Sequence, residues 1–183
     1  MKEFFKEHSY SVVKMFLYQF AISVFGTTLA FAASSSENTT LLVLSSVCSV
    51  IFYLFLIYTM VWELGAKEKI RVEAGRGNTN PLIGLYISLA ANIPNLLLAI
   101  LIMIGDIFGN ENGAFAYEWA GGLCGISRAI ALFLQGMYVG ILNTIGFNPI
   151  WFYVIVVPAL ATSALGYFIA LKYSRTQSKK KQP

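Results

Sequence analysis

The chain has 183 residues, of which 57% are hydrophobic and 12% charged, with a formal charge of +4. Soluble domains carry about 25% charged residues, so composition argues against a water-soluble globule and for a bilayer protein. The basic residues gather at the N-terminus, in one loop and in the tail "LKYSRTQSKKKQP". No folded basic domain accompanies them, which favours anionic headgroups and argues against nucleic acid as the partner.

The first apolar run, about 14–33, begins at Lys14 after Lys2 and Lys6 and ends on Ala30-Phe31-Ala32, the small-x-small pattern of a cleaved secretory signal. Its apolar part is longer than a signal core, so it reads as a retained span. Gln19, Ser23, Gly26 or Thr27, and Ala30 form a small-polar stripe along it. His8, the single histidine, precedes the run and is expected to be solvated or interfacial.

The short polar link "SSSENTT" carries Asn38-Thr39-Thr40, which fits a glycosylation acceptor in a chain exposed to that machinery. A second span is expected over about 41–62, with Ser45 and Ser49 on one face and Cys48 beside them. Cys48 and Cys124 lack the spacing of a zinc or redox pair and read as small buried apolar residues. The basic loop "ELGAKEKIRVEAGRGNTN" follows. Its alternating charges suit a solvated hairpin, with Glu63 and Lys67 spaced for a helical ion pair. Glu63, Lys67, Arg71 and Arg76 are the candidate docking residues for a cytoplasmic partner.

The third span, about 81–105, contains "AANIPN". Pro94 cannot donate to the carbonyl of Ala90. In hydrocarbon a freed backbone group must be satisfied locally, and Asn92 or Asn95 could supply the donor. Gly84, Ser88, Asn92, Asn95, Ala99, Met103 and Asp106 form one stripe, expected to face protein or water. Leu85, Ile87, Leu89, Leu97 and Leu101 form the opposite, lipid-facing side.

Segment 121–146 is apolar but holds Arg128, Gln135 and Asn143. If it does not cross, twelve of the thirteen basic residues fall on one side of the membrane; if it crosses, only seven do. The positive-inside bias therefore favours an interfacial or re-entrant helix, with Ile126, Ile130, Leu134, Met137 and Ile141 as its apolar stripe. A fifth span with Arg128 turned inward is the alternative. The last span, about 149–171, is broken by Pro158 and carries Ala159, Thr162 or Ser163, Gly166 and Ala170. Residues 173–183 form a basic cytoplasmic tail.

The expected fold is an all-α integral membrane protein in one transmembrane domain over 1–172. Four spanning helices are accompanied by one interfacial or re-entrant helix, with both termini cytoplasmic. Gln19, Ser88, Asn92, Asn95, Asp106 and Arg128 are the candidate polar interior, and Pro94 and Pro158 the helix breaks. No nucleophile has an evident base, and no carboxylate pair or metal-ligand spacing occurs within a span. The chain is therefore expected to be non-catalytic and without cofactor. Its expected role is an accessory or partner subunit of a membrane complex in the cytoplasmic membrane. The alternative is a transport or solute-binding component using the polar face of the third span.

Overall fold

The computed structural model describes residues 2–35, 38–75, 80–109 and 118–179. Every element in them is helical: α1 (Lys2–Ser34), α2 (Thr39–Glu73), α3 (Ile83–Ala91), α4 (Ile93–Phe108), α5 (Glu118–Leu134), one 3-10 turn (Gly136–Tyr138), α6 (Val139–Ile145), α7 (Trp151–Val154) and α8 (Val157–Lys179). Three stretches are long and apolar enough to cross a bilayer: Lys6–Ser34, Thr39–Glu73 and Trp151–Lys172. Two bent pairs, α3 with α4 and α5 with α6, raise that number to as many as five.

The outside of the bundle is greasy and the inside is partly polar. Leu44, Ile51, Phe55, Leu97, Leu165 and Phe168 are exposed, whereas Gln19, Ser23, Ser88, Asn92, Asn95, Gln135 and Ser163 are buried. Water would drive the opposite arrangement. Hydrocarbon does not penalise exposed leucine, and helices within it associate through small residues and internal hydrogen bonds.

α1 and α2 form an antiparallel hairpin. At its turn Asn38 caps α2, its side chain accepting from the Thr40 and Leu41 amides at 3.0 and 3.3 Å. Ala30, Ala33 and Leu42 pack together just below. At the far end Arg71 donates to Glu7 at 2.5 Å. α2 does not stop near Trp62 as the sequence suggests; it continues to Glu73. Lysine, glutamate and arginine are good helix formers, and Lys69 pairs with Glu73 one turn on at 3.3 Å. At 1.5 Å per residue α2 is ~52 Å long, well beyond ~30 Å of hydrocarbon. The segment read as a solvated hairpin is thus mostly a helical extension. α1 packs along it, which buries His8 instead of leaving it solvated.

α8 runs parallel to α2, with Gly166 against Tyr58 and Gly65 against Tyr167 and Ala170. α3 runs antiparallel to α8: a Cβ on Gly84 would meet the Tyr167 side chain at 2.5 Å and the Ser163 carbonyl at 2.7 Å. The start of α1, the end of α2, the start of α3 and the end of α8 therefore share one end of the bundle.

α4 leads to the other end and packs antiparallel on α5. Gly105 lies so close to Cys124 and the Ala120 carbonyl that a Cβ there would meet them at 2.6 and 2.9 Å. α5 then runs inward until Leu134 and Phe133 lie beside Gln19 and Ser23, near the middle of α1. There the chain bends by 89°. α6 climbs back toward the α1–α2 turn, with Gly140 against Leu42 and Ser46. This pair is a V with its tip inside the bundle.

Register differs from the sequence reading in four places. On α4 the buried side continues from Ala99 through Ile102 and Gly105, leaving Met103 and Asp106 exposed, because α5 covers Gly105. Ile87, assigned to the lipid side, is fully buried because α3 is packed by α8 on one flank and α1 on the other. On α2 it is Ser46, not Ser45, that shares the inner face with Ser49, and Cys48 is exposed. On α5 the inner face is Ala120, Ser127 and Ala131, followed by the buried Gln135 just past its end, so Ile126 and Ile130 point outward.

Candidate functional site at the helix breaks

Two of the interruptions of the helices coincide with buried polar side chains. Asn92 ends α3 and begins α4, and the two helices are bent by 52° there. Pro94 is the second residue of α4, where a missing amide hydrogen is tolerated because the first turn has no partner for it. The Asn92 amide donates to the Ser88 carbonyl at 2.9 Å, and the Asn95 amide donates to Asn92 Oδ1 at 2.9 Å. The carboxamides do sit with the break. The receiving carbonyl is Ser88, two residues before the position expected from proline geometry, Ala90. Asn92 and Asn95 are 2% and 1% exposed, so neither meets acyl chains.

The second break is stitched to α1 and α2. Ser23 Oγ accepts from the Gly136 amide and donates to the Phe133 carbonyl, both at 2.5 Å. Gln19 Nε2 donates to the Leu134 carbonyl at 3.3 Å. Ser46 Oγ accepts from the Gly140 amide at 2.8 Å. Irregular backbone that is buried in the bundle needs such partners, because an unpaired amide or carbonyl away from solvent is costly. Glycine is required at the tip for closeness: a Cβ on Gly136 would collide with Thr27 Oγ1 and meet the Ser23 carbonyl at 2.7 Å. The G-x-x-x-G spacing of "GMYVG" is thus a packing device against two helices.

Several buried acceptors and hydroxyls remain unpaired: Ser88 Oγ, Asn95 Oδ1, Gln135 Oε1 and the Tyr138 hydroxyl. All are neutral groups able to hydrogen-bond a small polar molecule, and none can shuttle a proton near neutral pH. Among the described residues no group of three His, Cys, Asp or Glu is placed to hold a metal ion.

Of the predicted polar interior, Gln19, Ser88, Asn92 and Asn95 are buried. Asp106 and Arg128 are not part of that set. Arg128 reaches back toward the end of α4 and pairs with Asp106 at 3.1 Å, with side-chain exposures of 31% and 49%. Pro158 follows Val157 at the start of α8, where α7 and α8 are separate helices. Of the docking candidates, Glu63 and Lys67 are exposed on the α2 extension without pairing to each other, Arg71 bridges to Glu7 and Glu68, and Arg76 lies outside the described residues. The Glu7 carboxyl is held below its ordinary range by the hydrogen bond and then the charge of Arg71.

Sequence reasoning passed over Ser46, Gly136 and Lys69, whose roles come from tertiary neighbours. The spacing of Gly136 and Gly140 was the one local signal for the tip. Searches for similarity are silent: no family model matches the chain, and no curated protein or solved structure matches it significantly.

Proposed function

We propose that this protein is a non-catalytic, multi-pass protein of a cytoplasmic membrane that serves as an accessory or partner subunit of a membrane complex. The observation that carries this reading is the use of the amides on the third span. Asn92 and Asn95 bond to their own helix and to each other, so their donors hold a bend in place and are not offered to a passing solute. The exposed charges of the α2 extension, Glu63 and Lys67 with the Arg71 cluster, supply a protein-facing surface at the end opposite the α1–α2 turn.

The topology that goes with it is four crossings plus one re-entrant pair, α5 with α6, and both chain ends on the cytoplasmic side. The shared end of α1, α2, α3 and α8 supports it, as does the V of α5 and α6, which enters and leaves on one side. So does the basic bias of that shared end.

A second reading, a transport or solute-binding component, is favoured by the unpaired Ser88 Oγ and Asn95 Oδ1 on the same face. One experiment separates the two. The tagged chain is purified from native membrane in mild detergent, alone and as Asn92→Leu. The accessory reading expects a stoichiometric membrane or cytoplasmic protein to co-purify with the wild type and to be depleted with the variant. A chain that purifies alone, and whose variant is equally abundant but deficient in solute uptake, overturns it in favour of transport.

A further inference from the structure

At the end of the bundle that gathers the start of α1 and the ends of α2 and α8, a cavity of about 560 Å³ opens between α2, the start of α3 and α8. Lys69, Glu73 and Lys172 line it together with Val72, Phe168 and Leu171. Lys69 is 4% exposed. Its only ion-pair partner among the described residues is Glu73, whose side chain is 47% exposed, at 3.3 Å. That approach does not make a hydrogen bond, and Lys69 Nζ has none. An ammonium group carries three donors, and burying it with so little compensation is costly. Lys172 stands on the other wall, exposed, as the first charge after the apolar run of the last span.

We propose that this cavity binds the phosphate of an anionic phospholipid, with Lys69 and Lys172 on the headgroup and an acyl chain along α8. Two cations face one carboxylate, so the cavity has a net positive charge and the phosphate supplies the acceptors that Lys69 lacks. The apolar part of the lining selects a lipid over a free anion. Phe168 is 53% exposed on the outer surface of α8, where a chain leaving the headgroup would lie. Lys172 marks the depth at which hydrocarbon gives way to headgroups. The proposal rests on the membrane reading and is independent of the accessory role.

The test is native mass spectrometry of the detergent-purified full chain titrated with phosphatidylglycerol or phosphatidylcholine. The expected result is retention of one phosphatidylglycerol and no selective retention of phosphatidylcholine. One lysine near an anionic surface contributes about 1 kcal/mol, so Lys172→Gln is expected to weaken retention about fivefold. Lys172→Arg preserves it. Lys69→Gln weakens it at least as much, and the exposed Lys172 variants keep the test interpretable should Lys69→Gln fold poorly. Lys67→Gln, on the same helix end but outside the cavity, leaves retention unchanged. Equal retention of the two lipids overturns the proposal. So does an equal loss in Lys67→Gln and Lys172→Gln, which would mean diffuse attraction, and so does displacement of the lipid by millimolar inorganic phosphate, which would mark a soluble-anion site.

Discussion

Ser23 and Gly136 are 113 positions apart in the chain, yet the serine hydroxyl accepts the glycine amide at 2.5 Å while donating to Phe133 one turn earlier. One side chain on α1 thus satisfies a donor and an acceptor that the bend between α5 and α6 sets loose.

Removing that hydroxyl should be more damaging than its size suggests. Ser23→Ala leaves a buried amide and a buried carbonyl unpaired, and each unmet group costs about 1–3 kcal/mol. The expected outcome is a clear fall in the thermal midpoint in detergent, whereas Ser45→Ala, outside the buried face, changes little. Gly136→Ala should be worse, because the added methyl meets Thr27 and the Ser23 backbone. A Ser23→Ala protein as stable as wild type would mean that the tip does not depend on α1.

The two asparagines of the third span should not be equivalent. Asn92 both donates to Ser88 and accepts from Asn95, while Asn95 makes one side-chain bond and leaves its own oxygen unpaired. Side-chain hydrogen bonds between residues in membranes average about 0.6 kcal/mol. Asn95→Leu removes one bond and exchanges one orphaned acceptor, its own, for another, Asn92 Oδ1, so it should cost little more than the ~0.6 kcal/mol of that bond. Asn92→Leu removes both bonds at the bend and should cost roughly 1–2 kcal/mol on that scale. Equilibrium unfolding of the two variants checks the order; the reverse order would show that Asn92 is not the hub.

The proposed topology makes a labelling prediction. Single cysteines at Lys67 and Lys172, in a chain with Cys48 and Cys124 replaced, should react with an impermeant thiol reagent from one side of sealed vesicles. Cysteines at Gly121 and Ile145, at the two ends of the V, should both react from the other. Labelling of Gly121 and Ile145 from opposite sides would make the segment a crossing and move the last helix's end across the membrane.

Much of this arrangement was legible in the sequence, and what was missed has a physical pattern. The apolar runs gave the helices their places because chain length in hydrocarbon is a one-dimensional property. The Asn-Ile-Pro-Asn stretch announced its own bend, since proline removes a donor wherever it sits. The end of α2 was not legible: a charged segment reads as a loop unless its partner is known, and Glu7 lies 64 positions away from Arg71. The buried register of α4 was equally hidden, because whether Gly105 or Asp106 turns inward depends on α5 coming to rest on it. Of the candidate site, the amides carried a local signal. Ser46 and Lys69 did not, since one is defined by the Gly140 amide and the other by the walls of a cavity.

The ion pair at the other extreme of the hairpin predicts a small pH dependence. Glu7 has its carboxyl lowered from the ordinary 4.5, first by the hydrogen bond from Arg71 and then by its charge. A depressed folded value means that the contribution is fully present above the unfolded value and is lost as pH falls through the folded one. The difference in thermal midpoint between wild type and Glu7→Gln should therefore be seen at pH 7 and vanish well below pH 4.5. Both groups are exposed, so the difference should be small and should shrink with salt. A difference that persists at low pH would assign the effect to packing of α1 on α2 instead.

The pair of Arg128 and Asp106 carries a sharper expectation, because Asp106 is the arginine's only ion-pair partner among the described residues. From α5 its side chain snorkels back to the end of α4, where one guanidinium nitrogen reaches Asp106 at 3.1 Å while Nε is buried without a partner. Taking the carboxylate away in Asp106→Ala leaves a cation beside hydrocarbon, which costs more than the bond itself is worth. The loss should exceed the ~1 kcal/mol of an exposed surface pair, and it should exceed that of Glu63→Ala on the α2 extension. Removing the charge as well, in Asp106→Ala with Arg128→Leu, should recover most of the stability, since the penalty belongs to the stranded guanidinium. If the double variant unfolds as readily as Asp106→Ala alone, the pair itself holds α5 on α4, and the closeness of Gly105 to Cys124 is not sufficient to seat that helix.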